Sequence, residues 1–367
     1  MINAKRLVLY ISVVTFILPF SVSAGKSSKS FFNWTNDLIL PPASGQSESL
    51  GVAGPFAGVS NDALIVAGGA NFPKPYWGQN KTWFSDIWVT EKEDSGYKWY
   101  TGFKLDRPIA YGMTVTTQYG VVCMGGADAN QCFADVFILS WDKNNKKITK
   151  KVLPSMPEKC AFGSATVIGD KIYVAGGLSS VRLDSAMKNF WLLDLSKKDT
   201  DGFAWQTLTK WPGPQRAFNV TVAQQNKDSN CVYVISGRMQ KDQTTAFLKD
   251  TYEYDLISNS WRECAKLPTP VCAGVGAAIG QSDIFLFGGA DGTLWDKVDD
   301  LGDNHPGFPK DIWAYNTISD TWRKAGQVPQ THVTAASVKW NGKYLIVSGE
   351  VRPLVRTPKI LQAEPIL

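Results

Sequence analysis

A chain of 367 residues that is 44% hydrophobic, 19% charged and 12% aromatic, with 32 glycines, cannot be a disordered, collagen-like or coiled-coil protein. Fourteen tryptophans beside that many glycines favour an all-β fold. The formal charge of +5 is dispersed, with no Lys/Arg-rich stripe interleaved with aromatics, so no nucleic-acid partner is expected.

In chain order, Lys5 and Arg6 precede an apolar run over residues 7–20 that ends in Val22-Ser23-Ala24, the pattern of a cleavable secretory signal over residues 1–24. The run is short for a membrane span and none like it follows, so no span is expected after cleavage. The remainder, residues 25–367, is expected to form one domain. Its first strand-like stretch is Phe32-Asn33-Trp34-Thr35, followed by Leu40-Pro41-Pro42. An apolar, β-rich run closed by Gly-Gly or Ser-Gly then recurs six times, over residues 64–69, 121–126, 172–177, 232–237, 284–289 and 344–349. Each of the first five is followed by a second strand-like segment, at 86–89, 135–138, 190–193, 251–254 and 311–314. A strand bearing Trp99, Trp205, Trp261 or Trp322 comes next in four repeats, and residues 147–152 fill that place in the second.

This pattern resembles the kelch repeat, which implies a six-bladed β-propeller with four strands per blade. The sixth repeat supplies strands over 332–339, 344–349 and 358–363, then the chain runs out before any Trp. Its missing outer strand is expected from the N-terminus, where Trp34 precedes Leu40-Pro41 as Trp261 precedes Leu267-Pro268. Such closure pairs both ends of the chain and removes free sheet edges.

Connections after the glycine pairs are long, as at 70–85 and 290–310, whereas turns between first and second strands are short, as at Asn61-Asp62, Gly169-Asp170 and Asn341-Gly342. Long loops on a rigid scaffold are where binding residues collect. That face should carry Arg107, Arg216, Arg238, His332, Glu350, Arg352 and Arg356, with Asp128 and Asp291 nearby. Guanidinium groups suit a carboxylate-bearing small molecule. Of these, Arg107, Arg216, Arg352 and His332 are expected to contact substrate.

Gly349-Glu350-Val351-Arg352-Pro353-Leu354-Val355-Arg356-Thr357 puts an acid and two arginines in one short loop, able to hold a base and an anion together. It resembles the Gly-Glu-x-basic-Pro-x-x-Arg-Thr loop of the N-acetylneuraminate epimerases, six-bladed periplasmic mutarotases of sialic acid. Residues 51–62, from Gly51-Val52-Ala53-Gly54 to Asn61-Asp62, are similar to a first-strand segment of the same family. The order is rotated, block first and loop last, as in a cyclically permuted branch. The resemblance implies that Glu350 is the proton acceptor, that Arg356 binds the sugar acid, and that no metal or organic cofactor takes part. Leu354 stands where the family loop often has Gly, and Ile109 where an Arg precedes Ala-Tyr-Gly in some members.

A sialidase is disfavoured, because no Ser-x-Asp-x-Gly-x-x-Trp box occurs in any repeat. Two histidines give poor material for a zinc or copper site. A non-catalytic propeller that binds sialic acid or a protein is the alternative. Six cysteines in an oxidising compartment could pair or remain buried thiols.

Overall fold

Six four-stranded antiparallel sheets form the blades of a propeller. The computed structural model describes residues 30–366, so the expected signal segment lies outside the described residues. The innermost strands, Phe56–Ser60, Met113–Thr117, Ser164–Ile168, Val220–Gln225, Val275–Ile279 and Ala336–Trp340, touch their neighbours all the way round, with Ala336–Trp340 meeting Phe56–Ser60. In the sixth blade Phe32–Ile39 is the outer strand, antiparallel to Lys359–Pro365 with Phe32 opposite Pro365 and Trp34 opposite Ala363. Ring closure by the N-terminus is therefore as expected. The sixth innermost strand begins at Ala336 rather than at 332, because residues 332–335 cross between blades.

The sequence pattern follows from where each strand sits. Second strands such as Ala63–Ala67 and Gly120–Met124 are buried on both faces, sandwiched between neighbouring blades, and so read as unbroken apolar runs. The outer strand Gly96–Lys104 is largely exposed and reads as mixed. Buried side chains accordingly form six wedges, one per blade interface, with Phe56 and Ile65 meeting Val121 and Trp141, and Val220 and Val222 meeting Ile284 and Leu286. Outer-strand tryptophans staple neighbours together. The indole N–H of Trp205 donates to the Pro154 carbonyl (2.9 Å), that of Trp261 to Thr209 (2.6 Å) and that of Trp322 to Ala265 (2.9 Å), each in the preceding blade.

Both residues of each glycine pair lie at positive φ, and the second, for example Gly69 at +99° and Gly349 at +105°, adopts a conformation open in practice only to glycine. This reversal swings the chain out of the second strand onto the loop face. There the loops build three small ribbons, Ala70–Asn71 with Thr82–Trp83, Arg238–Lys241 with Thr244–Phe247, and Glu350–Arg352 with Val355–Arg356, plus helical turns over residues 295–304. Among the described residues no helix is long and apolar enough to cross a membrane. All six cysteines are buried and unbridged.

Candidate active site

At the approach to each innermost strand one residue lies in the left-handed region: Gly54, Tyr111, Phe162, Phe218, Ala273 and Thr334, with φ from +50° to +62°. The N–H of each donates to the carbonyl of its counterpart in the preceding blade at 2.6–2.8 Å, and Gly54 closes the circle by donating to Thr334. Left-handed φ costs a non-glycine residue roughly 1–2 kcal/mol, and the hydrogen bond each one makes offsets that. This amide ring narrows the central channel. Above it, the side chains of Tyr111, Phe162 and Phe218 form an aromatic floor, with ring centroids 4.4 Å apart for Tyr111 and Phe162 and 4.7 Å for Phe162 and Phe218.

A cavity of about 620 Å³ opens over this floor on the loop face, within the size range of small-molecule sites. Glu350 and Arg356 both line it. Their short ribbon brings one Glu350 carboxylate oxygen to 3.1 Å from Arg356 Nη2, while the other accepts the Leu354 N–H at 3.1 Å. Leu354 makes that contact from the left-handed region, at φ +67°, a conformation that favours glycine. Arg356 is almost fully buried, its side chain 3% exposed against 18% for Glu350. Its guanidinium lies over the Phe72 ring at 4.9 Å, and its Nε and Nη1 are buried without partners.

The ribbon rests on the N-terminal block. Gly349 N–H donates to Val52 (2.8 Å), Val52 N–H to Ser348 Oγ (2.8 Å), and Ser348 Oγ–H to the Thr357 carbonyl (2.7 Å). Gly51, at φ +71°, abuts the Thr357 carbonyl so closely that any Cβ would collide with it. The two segments that carry the family resemblance, nearly 300 residues apart in the chain, are thus one packed unit.

Other expected contacts lie elsewhere. Arg216 is fully buried in a bidentate pair with Asp250, both N···O distances 2.7 Å, and also donates to the Ser236 carbonyl. It braces the fourth blade and does not line the cavity. Arg107 is exposed between the first two blades, paired with Asp135 at 2.7 Å and stacked on Phe133. Arg352 pairs with Asp303 at 2.8 Å, tying the ribbon to the turns over 295–304. His332, at the start of the crossing over 332–335, is 1% exposed, and neither ring nitrogen has a hydrogen-bond partner.

Burial pulls the His332 pKa down to about 4. The unfolded imidazole titrates near 6.5, so the unfolded chain takes up its proton first as the pH falls. This contribution to stability is complete above about pH 6.5 and falls by up to about 3 kcal/mol as the pH drops to about 4. Urea midpoints measured from pH 7.5 to 4.5 should decline less steeply in His332→Phe than in wild type. Parallel declines would clear His332 of the effect.

The cavity also takes in side chains that the sequence did not single out as substrate contacts: Arg238, Lys81, His305, Trp295 and the aromatic floor. The Arg238 guanidinium packs against the rings of Phe218 (4.3 Å) and Trp295 (4.4 Å). Lys81 lies over Tyr111 and Trp83 at 5.1 and 5.3 Å. His305 Nδ1 accepts the Gly307 N–H at 3.1 Å, and burial and the neighbouring Arg352 hold its pKa below the usual value. A signal for these residues exists in the repeat. Ala110-Tyr111, Ala161-Phe162 and Ala217-Phe218 are the same small-then-aromatic step before successive first strands.

The profile of the N-acetylneuraminate epimerase family matches residues 19–148 and 153–303, most of the chain. The chain belongs to the N-acetylneuraminate epimerase family. The match includes Arg238, Phe218 and Trp295 and stops before Glu350 and Arg356. Similar proteins include N-acetylneuraminate epimerases of Salmonella typhi, 24% identical over 234 residues (58% of either chain), and of Pasteurella multocida, 26% identical over 230 residues (56% of this chain and 57% of the relative). The chain thus spans somewhat over half the length of these curated relatives. The solved structure of YjhT superposes with a TM-score of 0.63 at 16% identity, covering 88% of this chain and 96% of YjhT, a likeness of fold.

Proposed function

We propose that this protein interconverts the α and β anomers of N-acetylneuraminic acid by opening and reclosing the sugar ring. The observation that carries this reading is the Glu350 carboxylate, pinned by Arg356 and Leu354 in a cavity with an aromatic floor. The ionisable lining also fits a monoanion: Lys81, Arg238 and Arg356 face Glu350 and Asp291, one cation in excess. The aromatic faces suit the apolar face of a sugar and its N-acetyl methyl group.

Glu350 takes the proton of the anomeric hydroxyl. The bond from the anomeric carbon to the ring oxygen breaks, its electron pair passes to that oxygen, and a proton from water or an acid in the cavity completes the ring-opened ketone. Rotation presents the other carbonyl face to the chain hydroxyl, and the reverse steps return every proton and give the other anomer. Arg356 holds Glu350 in position for this exchange. One-dimensional proton NMR of freshly released α-anomer should show faster conversion with protein than without. Binding without acceleration would instead mean a sialic acid binder.

We also propose an exported, periplasmic protein, on the strength of the leader-like pattern around Lys5, Arg6 and Ala24. Intact-mass measurement of protein from the periplasm should give a chain starting at Gly25, and residues 1–24 still attached would rule out cleavage there.

A further inference from the structure

The residue that follows each glycine pair occupies an equivalent place in every blade. Ala70, Ala127, Leu178, Arg238, Ala290 and Glu350 each form an isolated antiparallel bridge to the residue just before the amide ring: Ala53, Ala110, Ala161, Ala217, Cys272 and Val333. Four of the six are small or aliphatic. The two charged ones are Glu350 and, two blades away, Arg238, and both line the same cavity.

Arg238 differs from the other arginines. Each of the others among the described residues has a carboxylate within salt-bridge distance: Arg107, Arg182, Arg216, Arg262, Arg323, Arg352 and Arg356. Arg238 has none, although its Nε is buried without a partner. Burial lowers its pKa, with Cys272 and Glu350 opposing. Phe218 and Trp295 both pack within 4.4 Å of its guanidinium carbon and restrict its movement, so an incoming anion meets a partly pre-organised cation. Arg356 cannot fill that role as well, since Glu350 already neutralises it and its remaining donors are buried.

We infer that Arg238 is the carboxylate receptor of the cavity, gripping the substrate's carboxylate while Glu350 works on the anomeric hydroxyl from the sixth blade. This rests on the sugar-acid reading above and assigns Arg356 to orienting Glu350 alone. A carboxylate held by Arg238 fixes which end of the sugar faces Glu350, so Arg238 also sets specificity for acids over neutral sugars.

The test is isothermal titration of wild type, Arg238→Gln and Lys81→Gln with N-acetylneuraminic acid and with its carboxyl methyl ester, which keeps the shape and removes the charge. Wild type should prefer the acid by roughly 10- to 100-fold, the range for a charge-assisted hydrogen-bond pair. Arg238→Gln should lose that preference by weakening acid binding while ester binding is nearly unchanged, and Lys81→Gln should keep it. A merely structural packing of Arg238 against Phe218 and Trp295 would weaken both ligands alike. If Arg238→Gln does not fold, Arg238→Lys should retain a reduced preference. An acid preference that survives intact in the Arg238 variant, that is abolished by Lys81→Gln alone, or that is missing in wild type overturns the assignment. An Arg238-dependent preference in a protein that does not accelerate anomer exchange would leave the receptor standing and sink the mutarotase reading.

Discussion

Glu350→Gln should lower the rate of anomer exchange per folded molecule by about 10² to 10⁴, the usual contribution of a positioned general base. Glutamine keeps the shape and an amide oxygen able to accept from Leu354, so the ribbon over residues 350–356 should persist. It does not neutralise Arg356, whose guanidinium is nearly inaccessible, and the melting temperature should fall for that reason. The rate must therefore be read against the folded fraction, by following freshly released α-anomer in one-dimensional proton NMR alongside a thermal melt. If Glu350 served only to hold Arg356, the variant would melt lower and still exchange anomers at the wild-type rate per folded molecule. That result would end the mechanism proposed here.

Deleting residues 31–38 should abolish the cooperative unfolding transition or shift it far down. The segment supplies most of the outer strand of the sixth blade, pairing with Lys359–Pro365. Phe32 sits edge-on to Phe285 and Phe287 at 5.1 and 5.3 Å, and Leu38 is buried against the first blade. Truncating a buried Phe costs about 3–5 kcal/mol and a buried Leu about 2–5. Together they approach the whole stability of an ordinary domain, about 5–15 kcal/mol. The deletion would also bare the backbone of Lys359–Pro365 as a free sheet edge, so aggregation should accompany the loss. Calorimetry decides the matter, and an unchanged melting curve would mean that the ring closes some other way.

The propeller was legible in the sequence because its determinants are local. A second strand wedged between blades has to be apolar throughout, and the reversal after it needs left-handed backbone, so an apolar run plus a glycine pair marks every blade. The N-terminal strand could be assigned to the sixth blade on the same ground, since each repeat needs one outer strand and Trp34 heads the surplus one. Glu350 and Arg356 were legible because both sit on one tight turn, where six residues of separation already bring them into contact.

The remaining site residues depend on contacts between distant segments. Arg216 and Arg238 both lie in the fourth blade on the loop-face side, and nothing near either tells them apart. The fold turns Arg216 inward onto Asp250, 34 residues ahead, and turns Arg238 into the cavity against Phe218 and a Trp295 from the next blade. His332 looked like a binding residue and is enclosed instead, because the crossing over 332–335 passes under the Glu350 ribbon. The number of blades, the closing strand and the Glu350 turn follow from local patterns along the chain. Which charges face the cavity is set by the packing of the blades, because it depends on where an opposite charge or an aromatic ring from another blade comes to lie.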